Sequence, residues 1–293
     1  MKPAIGLIGA GMMGVGIGAN LVKHHYPLVI LEHAGNQPLD ALIAAGAGTR
    51  NSLAGLASSV EILIICVTGS PQVEAVLLGE SGALTYCRSG TIIIDCSTAI
   101  PSSTERVAQA ARDRACHFID AAMTRTPKEA AEGRLNLLVG GDQAVLERVR
   151  PVLQCFAESI FHAGPVASGH RMKLLHNFVS LGLITLIAEA AACARQCGIT
   201  DAVFAEVLGR GGGGGTALDR LKPYLLEGNT GALRFSVANA GKDLGYYNTM
   251  AAETGADLTI AAAVLDSIGQ SAALEPEAMV PEMVRLIASR GRR

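Results

Sequence analysis

The longest apolar stretch of the chain runs from Ser168 to Cys197 and contains no proline. Its apolar residues occupy every side of a 3.6-residue helical wheel, which predicts a buried helix and not an amphipathic surface helix. At about 1.5 Å per residue such a helix would extend for about 45 Å, so we expect more than one domain or subunit to cover it. The polar groups that interrupt the pattern near its start are His170, Lys173, His176, Asn177 and Ser180.

A different pattern fills the first half of the chain, where short apolar runs alternate with stretches of helical periodicity. This alternation predicts an α/β domain over residues 1–164, with a doubly wound and mainly parallel sheet. Residues 165–293 show amphipathic helical segments without strand-like alternation, which predicts an all-α domain that begins with the long helix 168–197. The predicted strands are Ala4–Gly9, Leu28–Glu32, Glu61–Val67, Thr91–Cys96, His117–Ala122, Leu135–Gly140 and Ser159–His162.

Composition and charge narrow the possible partners. The 293 residues are 49% hydrophobic and 17% charged, as expected of a folded globular protein. A formal net charge of −2 gives no electrostatic case for binding nucleic acid or an anionic membrane surface. The cysteines lack metal-ligand spacing, which indicates free thiols, a cytoplasmic location and no metal site. Glu189, inside the long apolar stretch, argues against a membrane span.

A glycine-rich turn follows the first predicted strand and precedes a helical stretch. Backbone amides at this glycine spacing approach a dinucleotide pyrophosphate at a helix N-terminus. Glu32 ends the second predicted strand, where a carboxylate accepts the ribose hydroxyls and repels a 2′-phosphate. The sequence therefore predicts NAD as the cofactor, with NADP as the alternative. The turn residues expected to contact the cofactor are Gly9, Gly11, Met12, Met13 and Gly14.

Further candidates lie at the carboxyl ends of later strands, where ligands bind in sheets of this kind. Val67 and Thr68 follow the third predicted strand and are expected beside the cofactor. Ser97 and Thr98 offer hydroxyls after the next strand, and Arg125 offers a guanidinium suited to a carboxylate or another oxyanion. Simpler interpretations stay open, in which Thr68 is a turn residue and Arg125 a surface ion-pair partner.

Seven motifs, in one order along nearly the whole chain, carry a resemblance to a known family. They are Gly6-Leu-Ile-Gly-Ala-Gly-Met-Met-Gly, Asn20-Leu21, Asp95-Cys-Ser-Thr with Pro101, Phe118-Ile-Asp-Ala, Gly133-Arg-Leu-Asn-Leu-Leu-Val-Gly-Gly, Lys173 with Asn177, and Lys242-Asp243-Leu244. In these residues the chain resembles the β-hydroxyacid dehydrogenases. That group contains 3-hydroxyisobutyrate dehydrogenase and tartronate semialdehyde reductase, and it is related to 6-phosphogluconate dehydrogenase.

The resemblance implies a Rossmann-type N-terminal domain, a long helix joining it to an all-helical C-terminal domain, and a homodimer or homotetramer. It implies that Lys173 is the catalytic lysine, that Asn177 orients the substrate and that Ser97 binds it. It also implies that Lys242 closes over cofactor and substrate. The implied reaction is hydride transfer between a nicotinamide and a small anionic 3-hydroxy acid or its aldehyde, with Lys173 as general acid and base.

One departure from the family pattern concerns the substrate. Most of the family has a Ser-Gly-Gly loop where this chain has Thr124-Arg-Thr-Pro, and an arginine there is similar to sulfolactaldehyde reductase. In that branch asparagine, asparagine and serine follow the lysine at offsets 3, 4 and 7, whereas His176, Asn177 and Ser180 follow it here. The substrate therefore stays open among the 3-hydroxyisobutyrate, tartronate semialdehyde and sulfolactaldehyde types, with these three residues and Arg125 as candidate contacts.

Two other functions also stay open. One is an imine reductase on the same scaffold, although those relatives usually lack a lysine at the position of Lys173. The other is a non-catalytic dinucleotide-binding regulator, which would bind the cofactor without turnover. The glycines 211–215 have two interpretations as well, a flexible linker or a set of backbone amides that meets the anionic end of the substrate.

Overall fold

The computed structural model describes residues 2–290, and the chain divides into two compact units between Lys173 and Leu174. Eight strands lie within the described residues, all in the first unit, and they form one sheet. The strands are β1 (Ile5–Ile8), β2 (Leu28–Leu31), β3 (Gly48–Arg50), β4 (Ile62–Ile65), β5 (Ile92–Asp95), β6 (His117–Thr124), β7 (Leu135–Gly140) and β8 (Ala157–Gly164).

The sheet has the strand order β3-β2-β1-β4-β5-β6-β7-β8, and neighbouring strands are parallel except for β6 and β7. Side chains of β4 alternate between two buried clusters, because Ile62 and Ile64 belong to one and Leu63 and Ile65 to the other. A sheet buried on both faces has strands that are continuous apolar runs. The doubly wound, mainly parallel sheet that the sequence predicted is confirmed.

Helices connect most of the strands of the first unit. The strand β3 was not predicted, because it is an edge strand of Gly-Thr-Arg and gives no apolar signal. The helices are α1 (Gly14–Lys23), α2 (Asp40–Ala44), α3 (Leu53–Ala57), α4 (Ser70–Leu78), α5 (Pro101–Asp113), α6 (Pro127–Ala131) and α7 (Gln143–Leu153).

The second unit, as far as residue 290, is helical apart from one bridge between Ser236 and Met279. The long helix α8 supplies Leu181, Ile184 and Ala188 to a core shared with the five helices that follow it. The all-helical character predicted for this part of the chain is confirmed. The helices are α8 (Ser168–Gln196), α9 (Asp201–Arg210), α10 (Thr216–Glu227), α11 (Val237–Thr254), α12 (Thr259–Leu274) and α13 (Met283–Arg290).

A single copy of the chain covers only part of α8. Within the described residues α8 is the one helix long and apolar enough to cross a membrane, and 56% of its most apolar window is buried inside the protein. A core helix of a globular protein has the same length and composition. The large apolar side chains that α8 leaves exposed are Met172, Leu175, Val179, Leu183 and Leu186.

The beginning of α8 is fixed to the sheet by Asp120, a buried residue of β6. Its Oδ1 accepts a hydrogen bond from the N–H of Ala167 at 2.7 Å, and its Oδ2 accepts one from the N–H of His170 at 2.8 Å. Gly169 lies so close to β7 that a Cβ there would be 2.2 Å from the carbonyl oxygen of Leu138. The first turn of α8 therefore belongs to the first unit, which extends to Lys173.

Arg125, in the loop between β6 and α6, has a φ of +81°, in the left-handed region that favours glycine. A residue with a Cβ therefore occupies a backbone conformation that favours glycine. The guanidinium of Arg125 pairs with Glu158 and donates a hydrogen bond to the carbonyl oxygen of Arg134 at 2.5 Å.

The close approach of α8 to the sheet predicts that Gly169→Ala destabilises the protein. The added methyl group would overlap backbone atoms that cannot move aside, at a cost of about 2 kcal/mol or more. Gly182→Ala on the same helix is the matched control, because its Cβ would meet only Val264 at 3.9 Å. Alanine there should be neutral or stabilising by up to about 1 kcal/mol. Urea denaturation followed by circular dichroism checks both, and equal changes would contradict the packing described here.

The left-handed backbone at Arg125 predicts that Arg125→Gly is more stable than Arg125→Ala by about 1 kcal/mol. Both variants lose the same ion pair with Glu158, so the difference between them reports the backbone conformation alone. The measurement is the unfolding free energy of the two variants side by side. A more stable alanine variant would show that the loop does not hold this conformation in solution.

Candidate active site

The glycine turn between β1 and α1 has two glycines that its own geometry requires and one that leaves room for a ligand. Gly9 has a φ of +93°, and a Cβ there would lie 2.3 Å from the carbonyl oxygen of Cys66. A Cβ at Gly14 would lie 2.0 Å from the carbonyl oxygen of Gly9. At Gly11, in contrast, a Cβ would meet no atom within 4 Å. The backbone at Gly11 is thus open to close approach by a ligand.

The N-terminus of α1 begins at this turn and fits an anionic group. No acidic residue lies in its first turn, and Met13 before it provides no side-chain cap. Helix N-termini carry partial positive charge and N–H groups directed outwards, which suits a phosphate. Asn36 supports the turn by accepting a hydrogen bond from the N–H of Ala10 at 3.1 Å. Gly11, Met12 and α1 therefore fit the diphosphate of a dinucleotide.

Glu32 lies at the carboxyl end of β2 and is exposed. Its N–H donates a hydrogen bond to the carbonyl oxygen of Arg50 at 2.8 Å, and its Oε1 accepts one from Oγ1 of Thr49 at 2.5 Å. A carboxylate held in this way suits the two hydroxyls of an adenosine ribose. Thr49 was missed by sequence reasoning because it lies in the unpredicted strand β3.

The loops after β4 and β5 are joined by two hydrogen bonds. Oγ of Ser97 accepts one from the N–H of Val67 at 3.0 Å, and Oγ of Ser70 accepts one from the N–H of Ile100 at 2.7 Å. These bonds hold the carboxyl ends of two central strands in a fixed arrangement. The predicted residues here differ in exposure, with Ser97 buried, Val67 and Thr98 half-buried and Thr68 exposed.

A buried polar network connects the Ser97 loop to the start of α8. Oδ1 of Asp95 accepts a hydrogen bond from the N–H of Ser97 at 2.9 Å, and Oδ2 lies 4.0 Å from Nε2 of His170. Nε2 of His170 also lies 3.1 Å from the carbonyl oxygen of Ser97, while Nδ1 lies 2.7 Å from Oγ1 of Thr104. Burial raises the pKa of Asp95, and His170 and Ser97 oppose this rise. The network thereby ties Ser97 to the helix turn that precedes Lys173.

Lys173 is half-buried, and it lies one turn after His170 on α8. Because α8 is continuous from Ser168 to Gln196, offsets of four and seven from Lys173 place Asn177 and Ser180 on its side of the helix. This spacing agrees with the one-sided arrangement expected from the sequence.

In the second unit the structure groups residues of α8 and α11. Nδ2 of Asn177 donates a hydrogen bond to Oδ2 of Asp243 at 2.7 Å, and Nδ1 of His176 lies 3.1 Å from Oδ1 of Asn177. Nζ of Lys242 forms an ion pair with Oδ1 of Asp243 at 3.1 Å. Three of these four residues were predicted site residues. Asp243 stood in a recognised motif without an assigned role, and a buried carboxylate beside a predicted site asparagine is the signal that identifies it.

The guanidinium of Arg125 is engaged within the protein, by Glu158 and by the carbonyl oxygen of Arg134. This matches the ion-pair interpretation of Arg125, and its contact with a substrate stays a prediction. The glycines 211–215 connect α9 to α10 and are exposed, which leaves both interpretations of that loop open.

A cavity of about 290 Å³ lies at the opposite end of the central strands, where β4 and β5 begin. Its lining includes Glu61, Arg88 and Arg148 but none of the predicted site residues. Among residues 2–290 no group of three or more acidic, histidine or cysteine side chains is arranged to hold a metal ion.

Two protein-family models match the two halves of the chain. Residues 4–164 match the NAD binding domain of 6-phosphogluconate dehydrogenase. Residues 167–287 match the NAD-binding model of NADP-dependent 3-hydroxyisobutyrate dehydrogenase. The first match covers the glycine turn, and the second covers Lys173 and the residues grouped around Asn177.

Individual proteins with similar sequences and folds support the matches to these family models. The NAD-dependent L-serine dehydrogenase of Pseudomonas aeruginosa is 34% identical over 220 residues, which are 75% of this chain and 74% of that protein. The 3-hydroxyisobutyrate dehydrogenase of the same organism is 29% identical over 283 residues, 94% of this chain and 95% of that protein. In fold, a structure of Mycobacterium tuberculosis 3-hydroxyisobutyrate dehydrogenase with L-serine has a TM-score of 0.83 at 24% identity, covering 97% of this chain and 99% of that one. The chain therefore belongs to the β-hydroxyacid dehydrogenase family and is an NAD(P)-dependent oxidoreductase that acts on CH–OH groups.

Proposed function

We propose that this enzyme interconverts a small anionic 3-hydroxy acid and its aldehyde, with Lys173 as the general acid and base. The observation that carries the proposal is the buried network of His170, Asp95 and Ser97, which fixes Lys173 relative to the carboxyl ends of the central strands. A lysine that follows a helix turn anchored beside a strand-end serine suits an anionic hydroxy acid better than an uncharged substrate.

The proton step belongs to residues of this chain. In the oxidative direction the hydroxyl proton of the substrate passes to Nζ of Lys173 as the C–O bond becomes a carbonyl, and in the reductive direction Lys173 returns it. General acid and base catalysis by a positioned side chain contributes about 10²- to 10⁴-fold to the rate. Asn177 holds the reacting oxygen or the neighbouring carboxylate. The groups proposed to fix the acid end are Ser97, Thr98, Ser180, His176 and Arg125.

The cofactor, when bound, accepts or supplies the hydride. The turn at Gly9, Gly11 and Gly14 would hold its diphosphate, and Glu32 would hold its adenosine ribose. The hydrogen bond from Thr49 supports NAD over NADP, because it keeps the negative charge of Glu32 where a 2′-phosphate would lie. The other predicted cofactor contacts, Val67, Thr68 and Lys242, remain part of the proposal.

The substrate class is proposed as a 3-hydroxy acid whose only anion is a carboxylate. Arg125 was the feature that suggested a sulfonate, and its charge is already paired with Glu158. Serine and 3-hydroxyisobutyrate, after which two relatives are named, share a 3-hydroxy carboxylate. A panel of 3-hydroxyisobutyrate, serine, glycerate, threonate and sulfolactate, each assayed with NAD and with NADP, tests this. Cofactor binding without turnover of any of them would instead indicate a regulator.

A second copy of the chain is proposed to cover the exposed apolar face of α8, which gives a homodimer or homotetramer. Val179, Leu183 and Leu186 on that face are 58%, 48% and 63% exposed, at helical spacing. Contiguous apolar surface of this kind marks an interaction site. A cytoplasmic location is proposed with it, supported by cysteines that are all unpaired in the described structure.

The proton role of Lys173 predicts that Lys173→Met lowers kcat by about 10²-fold or more. Methionine has nearly the same length but cannot exchange a proton, so the affinity for NADH, followed by the fluorescence of the reduced nicotinamide, should stay within about twofold. Lys23→Met, at the exposed end of α1, is the control and should retain full activity. A Lys173→Met enzyme with a substantial residual rate would rule out the proton role.

The exposed face of α8 predicts that Leu183→Glu combined with Leu186→Glu reduces the molar mass in solution to that of a smaller assembly. Burying two carboxylates against a second copy is strongly unfavourable. Light scattering after size-exclusion chromatography measures the mass. Ile43→Glu on α2, also an exposed apolar residue, is the control and should leave the mass unchanged. A wild-type protein with the mass of one chain would contradict the proposed oligomer.

A further inference from the structure

We propose that Asp243 is a positioning residue for Asn177, which fixes the direction of the asparagine amide so that an N–H, and not the carbonyl oxygen, is presented to the substrate. The inference rests on the proposed function, because it requires Asn177 to contact the substrate. It assigns a role to a buried carboxylate that the proposed mechanism does not use.

The direction of the amide follows from hydrogen-bond chemistry. An ionised carboxylate accepts hydrogen bonds and has none to donate. Only Nδ2 of Asn177 can therefore face Oδ2 of Asp243 at 2.7 Å. Oδ1 of Asn177 then points towards Nδ1 of His176, 3.1 Å away, which suits a ring nitrogen that carries a proton. Both ends of the amide have partners that favour the same orientation.

Asp243 is buried at a position where a charged side chain with only a structural role would lower the stability of the protein. Asp243 is 3% exposed and Asn177 is 6% exposed. A buried charge destabilises a fold unless it is paired, and an apolar residue in its place is often neutral or better. Lys242 supplies the pairing charge at 3.1 Å from Oδ1. The orientation of the Asn177 amide explains the ion pair at this position better than a gain in stability does.

Other contacts hold α8 against α11 at the same level. The rings of Phe178 and Tyr247 stack with centroids 4.3 Å apart, one residue beyond Asn177 and four beyond Asp243. Leu174 packs in a small core with Tyr247 and Met250. Apolar contacts thus stabilise the register of the two helices. The hydrogen bond between Asn177 and Asp243 is not needed for that register, and we expect it to fix the orientation of the amide.

The consequence concerns the second hydrogen of Nδ2. One hydrogen of that group bonds to Asp243, and the other is directed by the same geometry and can donate to a substrate oxygen. Without Asp243 the amide can turn over and present Oδ1, which repels a carboxylate or a developing alkoxide. We expect the loss to fall on substrate turnover and not on NAD binding.

Two variants separate positioning from structure. Asp243→Asn keeps size and hydrogen bonding but accepts the amide in either direction, so kcat/KM for the substrate should fall about ten- to hundredfold, with the thermal midpoint little changed. The exchange Asn177→Asp with Asp243→Asn keeps a hydrogen bond between the two positions but reverses donor and acceptor. We expect the exchanged protein to fold and to bind NAD normally while it loses activity as fully as Asn177→Ala. Asp266→Asn, at an exposed position of α12, is the matched control for losing a carboxylate.

A double-mutant cycle tests the route of the effect. In an Asn177→Ala background, Asp243→Asn should change kcat/KM by less than about twofold, because the group that Asp243 positions is gone. An equal loss in both backgrounds would show that Asp243 acts through Lys242 or the cofactor, and the inference would be overturned. An active exchange variant would overturn it too.

The failure of the proposed function has a different signature. If Asn177→Ala alone keeps full kcat/KM, Asn177 does not contact the substrate, and the role of Asn177 in the proposed function fails together with this inference. If Asn177→Ala is impaired while Asp243→Asn keeps wild-type kcat/KM, only the inference fails. Should Asp243→Asn lower the thermal midpoint, the exchange variant, which keeps the hydrogen bond, decides the question.

Discussion

The two hydrogen bonds that Asp120 accepts from the start of α8 hold the helix that carries Lys173. The first N–H groups of any helix lack partners within the helix, and a carboxylate buried in the middle of a strand needs donors. Here the helix start and the carboxylate satisfy each other, because the N–H groups of Ala167 and His170 donate hydrogen bonds to the two oxygens of Asp120. The position of the first turn of α8 on the sheet follows from this exchange, and Lys173 comes directly after that turn.

The same turn of α8 carries a second connection, through a side chain. His170 is fully buried and contacts Thr104 and the Ser97 carbonyl on opposite sides of its ring. Asp95 beside it is also fully buried, and burial raises its pKa. Buried polar groups are costly unless they are satisfied. Several of them lie between a strand end and a helix start, where they connect the Ser97 loop to the helix turn before Lys173. The proposed proton transfer by Lys173 would require such a fixed arrangement.

Polar and apolar residues divide α8 along its length. Most of its polar groups lie in its first half, where Asn177 bonds to Asp243. Farther along, the buried side of α8 is apolar except for Thr185 and packs in the core of the second unit. Its other side exposes leucine and valine, which a single copy leaves in water. The helix α8 thus has three separate environments: a polar first half, a side buried in the core, and an exposed apolar side. The last two explain why its sequence is apolar on nearly every side.

The sequence by itself determined seven of the eight strands of the described chain, the glycine turn, the length of α8 and the family, because these depend on local periodicity and on residues close together in the chain. It also identified Lys173 and Asn177 as exceptional, since polar groups in an apolar helix need partners. It could not identify those partners. Asp120 lies 47 residues before Ala167, and Asp243 lies 66 residues after Asn177. Only the tertiary structure decided that Asp120 fixes α8, that Arg125 pairs with Glu158, and that Asp243 faces Asn177. Such contacts arise when distant segments pack together, and no spacing along the chain encodes them.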